Sequence, residues 1–191
     1  MCNHKKNIKN AGFSLVELII VIAIMAIFSS MATIKFQEWV KKTAIEAQIK
    51  QMATDINEVR VRALTMKQRH SITINNYGYV FKSYSTETWS SNADLLAHGT
   101  VIPGGTHNVK YQLKKSASAS GTSTNYAGTS ADILEIDERG MITSASNATV
   151  FLGGAAKASS AAVNCLTIHT TRVNVGKEND PVSGAGVCDD K

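Results

Sequence analysis

Proline is almost missing from this chain. Of 191 residues only Pro103 and Pro181 are proline, and neither proline nor glycine falls between Ser14 and Gln68. That gap removes the usual reasons for a helix to break, so one helix of about 55 residues, some 80 Å long, is expected there. Charge is missing from part of the same interval. From Phe13 to Ile34 the only ionisable side chain is Glu17, and a helix of that stretch, roughly 33 Å long, crosses a bilayer. Cysteine is scarce: Cys2, Cys165 and Cys188 are too few and too scattered for a zinc site. His98, His107 and His169 are far apart and none sits in a His-Glu-x-x-His spacing. Gly104-Gly105 and Gly153-Gly154 lack the lysine and serine setting of a phosphate loop and read as turns. Asp94 and His98, four apart, read as a local surface contact. Asp180, Asp189 and Asp190 lack the regular spacing of a calcium loop and read as a solvated tail. The expectation is a protein with no cofactor, no metal and no enzymatic activity.

What is present begins with the apolar run. Lys5, Lys6 and Lys9 precede it and should hold that end in the cytoplasm while the chain beyond Lys35 passes outward. A secretory signal has the same polarity, and Ser29, Ser30, Ala32 and Thr33 supply small residues for its cleavage. A plain uncleaved anchor also accounts for the length. Neither accounts for a carboxylate one turn inside the run, since a lone carboxylate in hydrocarbon is costly and needs a partner or a place near the boundary.

Gly12-Phe13-Ser14-Leu15-Val16-Glu17, behind a basic head and ahead of an apolar helix, resembles the prepilin peptidase site of type IV pilins and type II secretion pseudopilins. The resemblance implies that prepilin peptidase cuts between Gly12 and Phe13 and N-methylates Phe13. It implies a single-pass inner-membrane protein with its C-terminal domain in the periplasm, which assembles with other subunits through an inner-membrane platform. It also implies a role for Glu17: its carboxylate pairs with the terminal amine of another subunit when helices stack, offsetting the desolvation of both. Losing the leader leaves 17 basic side chains against 15 acidic ones, so the formal charge falls from +5 to +2. The pI near 9.1 is therefore partly a property of a discarded peptide and poor evidence for nucleic-acid binding. Cys2 goes with the leader. Cys165 and Cys188 then form an even pair in an oxidising compartment and read as one disulfide closing the final loop, two unpaired thiols being the alternative.

Past Lys35 the apolar positions Trp39, Val40, Ile45, Ile49, Met52, Ile56, Val59, Ala63, Leu64 and Met66 recur at helical spacing. Glu38 with Lys42, Glu46 with Lys50 and Glu58 with Arg62 place acid before base at i,i+4. Arg60, Arg62, Lys67, Arg69 and His70 read as a solvated helical end, with a nucleic-acid patch as the alternative. From Ser71 the period becomes two. Ile72 and Ile74, a turn at Asn75-Asn76, and Tyr77 to Phe81 make a hairpin. Leu95, Leu96, Val101 and Ile102 anchor a polar stretch that also holds Trp89. Strands are expected at Val109 to Leu113, Ile133 to Ile136, Thr149 to Leu152, Cys165 to His169 and Arg172 to Gly176, with the last two as a terminal hairpin. Asp137 to Gly140 reads as a turn and Ser116 to Ser130 as a polar surface loop.

The expected fold is α+β: a long N-terminal helix with a single antiparallel β-sheet system packed on its distal half. Its parts are a leader at 1–12, a membrane and filament-core helix at 13–34, an amphipathic helix at 35–70 and a β domain at 71–191. The order of strands and turns from Ile133 to Val175 resembles the GspH/FimT-type minor pilins and pseudopilins, whose globular part is a pair of small sheets laid on the helix. That resemblance implies a minor pseudopilin or minor pilin. The alternatives are a major pilin and a FimT-like subunit that contacts DNA through Arg172 and Lys177. Here Arg172 lacks the preceding glycine common in that subgroup, which weakens the DNA reading. Ala26 and Ile34 stand where many major pilins carry a glycine and a proline, which favours a minor subunit or a more regular helix in the filament.

Overall fold

A computed structural model of the chain describes residues 12–85, 98–116, 124–125, 132–143, 148–152, 161–179 and 188–190. The expectations placed on residues 1–11, Trp89, Asp94, Leu95, Leu96, Gly153-Gly154, Asp180 and most of 116–130 lie outside them.

Helix α1 runs over Leu15–Met66, 52 residues. Its start is built from Ser14, whose carbonyl accepts a hydrogen bond from the Leu18 amide at 3.2 Å and so stands at the N-cap. Its end is marked by Lys67, in the left-handed region at φ 53°, a conformation that closes a helix and is more often supplied by glycine. Two compact units are defined, one ending at Val40 and the other beginning at Lys41, and α1 contributes to both.

In the first unit the apolar side chains are exposed. Phe13, Leu15, Ile22, Met25 and Phe28 are among them. Trp39 and Val40, expected in the buried stripe, are exposed too, and Glu38 pairs with Lys35 at 3.6 Å instead of with Lys42.

In the second unit the stripe closes where helical spacing places it. Ile45, Ile49, Met52, Ile56, Val59 and Ala63 are buried, whereas Leu64 and Met66 face outward. Around this face the described residues form ten strands: β1 (Arg69–Asn75), β2 (Gly78–Tyr84), β3 (Thr100–Asn108), β4 (Leu113–Ser116), β5 (Thr124–Asn125), β6 (Asp132–Ile136), β7 (Ala148–Leu152), β8 (Cys165–Ile168), β9 (Val173–Glu178) and β10 (Cys188–Asp190). All of their pairings are antiparallel. They make two sheets rather than one, ordered β3-β2-β1-β6 and β10-β9-β8-β7-β4-β5. Both sheets serve one core: Ile72, Phe81 and Ile136 from the first and Leu113, Leu152 and Leu166 from the second join the helical stripe in a single cluster. One helix face long enough for six buried residues thus serves two short sheets.

Two local expectations move. The first turn is Asn76-Tyr77, one residue later than the Asn75-Asn76 reading, because Asn75 pairs with Gly78 and its Oδ1 accepts the Tyr77 amide at 3.0 Å. Of the strand expected at Val109 to Leu113, Val109 to Gln112 form a loop between β3 and β4, and Leu113 opens β4. Gln48 explains the difference. Its side-chain amide donates to the Tyr111 carbonyl at 2.9 Å and accepts the Tyr111 amide at 3.0 Å, satisfying that backbone without a neighbouring strand.

Candidate processing and assembly site

The short segment before α1 carries the residues singled out for function. Gly12, Phe13 and Ser14 precede the helix, Phe13 is 82% exposed, and Glu17 lies in the first helical turn, also exposed. Ser14 at the N-cap and Glu17 three residues on have the Ser-x-x-Glu order of a capping box, a local reason for a carboxylate here that the sequence reading missed. The positive end of the helix dipole favours the same charge. A Cβ added at Gly12 would meet nothing within 4 Å, so no contact among the described residues requires glycine at that position. Glu17 lies four residues after Phe13, whose amine cleavage at Gly12 would free.

The basic residues are placed differently from the expectation of a solvated helical end. Arg60 donates to the Gly140 carbonyl at 2.8 Å and to the Thr171 carbonyl at 2.7 Å, clamping two turns onto α1. Gly140 sits under it at φ 70°, where a Cβ would come within 2.9 Å of the Arg60 carbonyl. Arg69 pairs with Glu135 at 3.3 Å and Arg62 with Glu58 at 3.2 Å. His70 is fully buried with Nδ1 2.9 Å from the Gln68 carbonyl. Burial drives its pKa below the usual 6.5, against the Gln68 hydrogen bond and together with the nearby Arg62 charge, so it is held neutral. Arg172 and Lys177 are both exposed, but Lys177 stands opposite Asp189 in the ladder between β9 and β10.

Cys165 and Cys188 form a disulfide. It ties β10 to β8 across the intervening β9, at a place where Gly176 allows a close approach: a Cβ there would lie 2.3 Å from the Asp189 carbonyl oxygen. The hairpin of β8 and β9 is therefore not the sheet's last piece, because β10 pairs with β9 beyond it. With a sequence separation of 23, the cross-link is worth about 3 kcal/mol in the chain-entropy account. Replacing both cysteines by serine should lower unfolding stability by about that amount, measured by chemical denaturation. A reductant should destabilise the parent chain and leave the double variant unmoved; equal sensitivity of both would contradict this.

Sequence reading also missed a polar cluster in the core. Asp55 on α1 is only 6% exposed. Its Oδ2 accepts the Tyr79 hydroxyl at 2.6 Å and lies 3.5 Å from His107 Nδ1, while its Oδ1 accepts the Gln51 amide at 2.7 Å. The Tyr79 and His107 rings stack at 4.9 Å. Burial, then the Asp55 hydrogen bond and charge, push the Tyr79 hydroxyl well above its usual 10, so it stays a donor. An acid within an otherwise apolar stripe was the available signal. Among the described residues no group of three metal-ligating side chains is placed to hold an ion.

A family model for the prokaryotic N-terminal methylation motif matches residues 7–33, which include Gly12, Phe13 and Glu17. No curated protein and no solved structure matches the chain. The motif is that of type IV pilin-like subunits, a structural class that prepilin peptidase processes and that assembles with other subunits. The match stops at residue 33 and does not reach the two sheets. Helix α1 is long and apolar enough to cross a membrane.

Proposed function

We propose that this chain is a minor subunit of a type II secretion pseudopilus or a type IV pilus, made as a precursor and anchored in the inner membrane with its β domain in the periplasm. Residues 1–12 are the leader, 13–34 span the membrane and later pack in the filament core, 35–70 carry the chain into the β domain, and 71–191 form that domain. Prepilin peptidase cuts after Gly12 and methylates Phe13. The methylation motif over residues 7–33 carries this reading. A helix that exposes its apolar residues from Leu15 to Phe28 supports it, since such a surface is stable only in lipid or against other helices. No observation favours a DNA-binding role: Arg60 and Arg69 are engaged within the fold and Lys177 lies beside Asp189.

Gly12 offers the test. Because a Cβ at that position meets nothing within 4 Å among the described residues, a substitution there should act on cleavage rather than on folding. In cells with a working prepilin peptidase, Gly12→Leu should accumulate as a precursor that keeps residues 1–12, read by intact mass. The parent chain should begin at a methylated Phe13. A Gly12→Leu chain of mature mass, or a parent chain that keeps its first twelve residues, would end the reading.

A further inference from the structure

We propose that Phe36 and Trp39 form an interfacial anchor that seats in the headgroup layer of the outer leaflet and sets the depth at which the unassembled subunit rides. The inference rests on the membrane-spanning reading above and adds a position along the bilayer normal. The two rings sit one turn apart on α1, their centroids 6.1 Å apart and tilted by 31°, and they are 63% and 60% exposed. They follow the apolar run directly, and the Lys35–Glu38 ion pair stands with them at 3.6 Å. A pair of large, exposed rings bracketed by charge suits neither hydrocarbon nor bulk water. It suits the zone between, where an indole rests its face among acyl carbonyls and its N–H reaches ester or phosphate oxygens.

The spacing makes this specific. Glu17 is the costly group at the inner side and Lys35 the first at the outer side. At a rise of 1.5 Å per residue, Phe36 lies about 29 Å and Trp39 about 33 Å from Glu17 along the helix. The hydrocarbon core is about 30 Å thick and the headgroup layers bring the bilayer to about 40–45 Å. With Glu17 at the inner edge of the hydrocarbon, Phe36 falls at the outer edge and Trp39 a few ångströms beyond it. A tilt of about 20° shortens these depths by only a few per cent and leaves both rings in the same zone. Exposed ion pairs contribute little by themselves, so the rings rather than Lys35 and Glu38 provide the hold.

The chain has two tryptophans, so a Trp89→Phe background leaves Trp39 as the only indole. The full chain in that background is reconstituted into phosphatidylcholine–phosphatidylglycerol vesicles at less than one copy per vesicle. Its emission is quenched by lipids brominated either near the carbonyl end or near the chain end. Quenching by the shallow bromines should exceed that by the deep ones about twofold or more, as expected of an interfacial indole. Stronger quenching by deep bromines overturns the anchor, as does no quenching by either set in chains that resist carbonate extraction. Shallow quenching seen only at high protein density also overturns it, because the occupant is then a second copy of the chain. If the chain does not partition into vesicles at all, the membrane reading itself falls and takes the anchor with it. A Phe36→Ala/Trp39→Ala double variant should be extracted by alkaline carbonate several-fold more readily than the parent, while Phe36→Tyr keeps the parent's resistance. Unchanged extraction of the double variant sinks the anchor and leaves the spanning reading intact.

Discussion

Glu17→Ala is expected to remove the chain from assembled filaments while leaving its membrane content close to that of the parent. The apolar run does not need the carboxylate to insert; losing a charge only makes insertion cheaper. In the proposed filament stacking would need it, because an amine freed at Phe13 would otherwise enter a water-poor core without a counter-charge. The capping box at Ser14 and Glu17 offers a rival cause, since alanine also removes a helix-capping side chain. Glu17→Gln separates the two. Glutamine serves the cap as well as glutamate does but carries no charge, so a charge-pairing role makes it about as defective as alanine, and a capping role makes it nearly silent. The measurement is the subunit's share of sheared filaments relative to its share of the membrane fraction. Parent-like incorporation of Glu17→Gln would transfer Glu17 from assembly to helix capping.

Asp55→Ala should be the most damaging single change in the β-bearing unit. It deletes the acceptor of the buried Tyr79 hydroxyl and of the Gln51 amide, and leaves His107 without the carboxylate beside it. Breaking such a buried group from one side costs about 3 kcal/mol, equivalent to a fall of about 6–12 °C in Tm for a unit of this size. Asp55→Asn keeps an acceptor and should cost less. A loss below about 1 kcal/mol for alanine would mean that water already serves these partners. The same cluster sets an alkaline limit. The folded pKa of Tyr79 lies above its usual 10, so the stability linked to it is complete below pH 10 and is lost as pH rises toward the folded value. Tyr79→Phe should be less stable at pH 7 but flatter between pH 10 and 11 in urea unfolding. An unchanged alkaline slope would assign the pH dependence to other groups.

The parts legible in the sequence are those with local causes. Ile45, Ile49, Met52, Ile56, Val59 and Ala63 recur at helical spacing and are buried, because helical period and absence of breakers are decided within a few residues. Ile72 and Ile74 gave away β1 for the same reason, and the alternation at Cys165 to Ile168 did so for β8. Leu64 and Met66 misled. Each continues the apolar pattern, but the helix ends at Met66, with Lys67 in the left-handed region, and neither side chain is buried. The Ser-x-x-Glu order of Ser14 and Glu17 was readable in the sequence, yet the demand of a membrane for a partner hid it.

Alone, the sequence determined a methylation-type motif around Gly12-Phe13, a long unbroken helix whose first part is almost wholly apolar, and a succession of antiparallel strands, since each follows from residues adjacent along the chain. Only the tertiary structure decided which strands neighbour one another in the two sheets, that Arg60 clamps the carbonyls of Gly140 and Thr171, that Gln48 holds the Tyr111 backbone and that Asp55 anchors Tyr79. Those contacts join positions 24 to 111 residues apart. A side chain that meets its partner across such a separation carries no periodic mark, because its neighbours in sequence are not its neighbours in space.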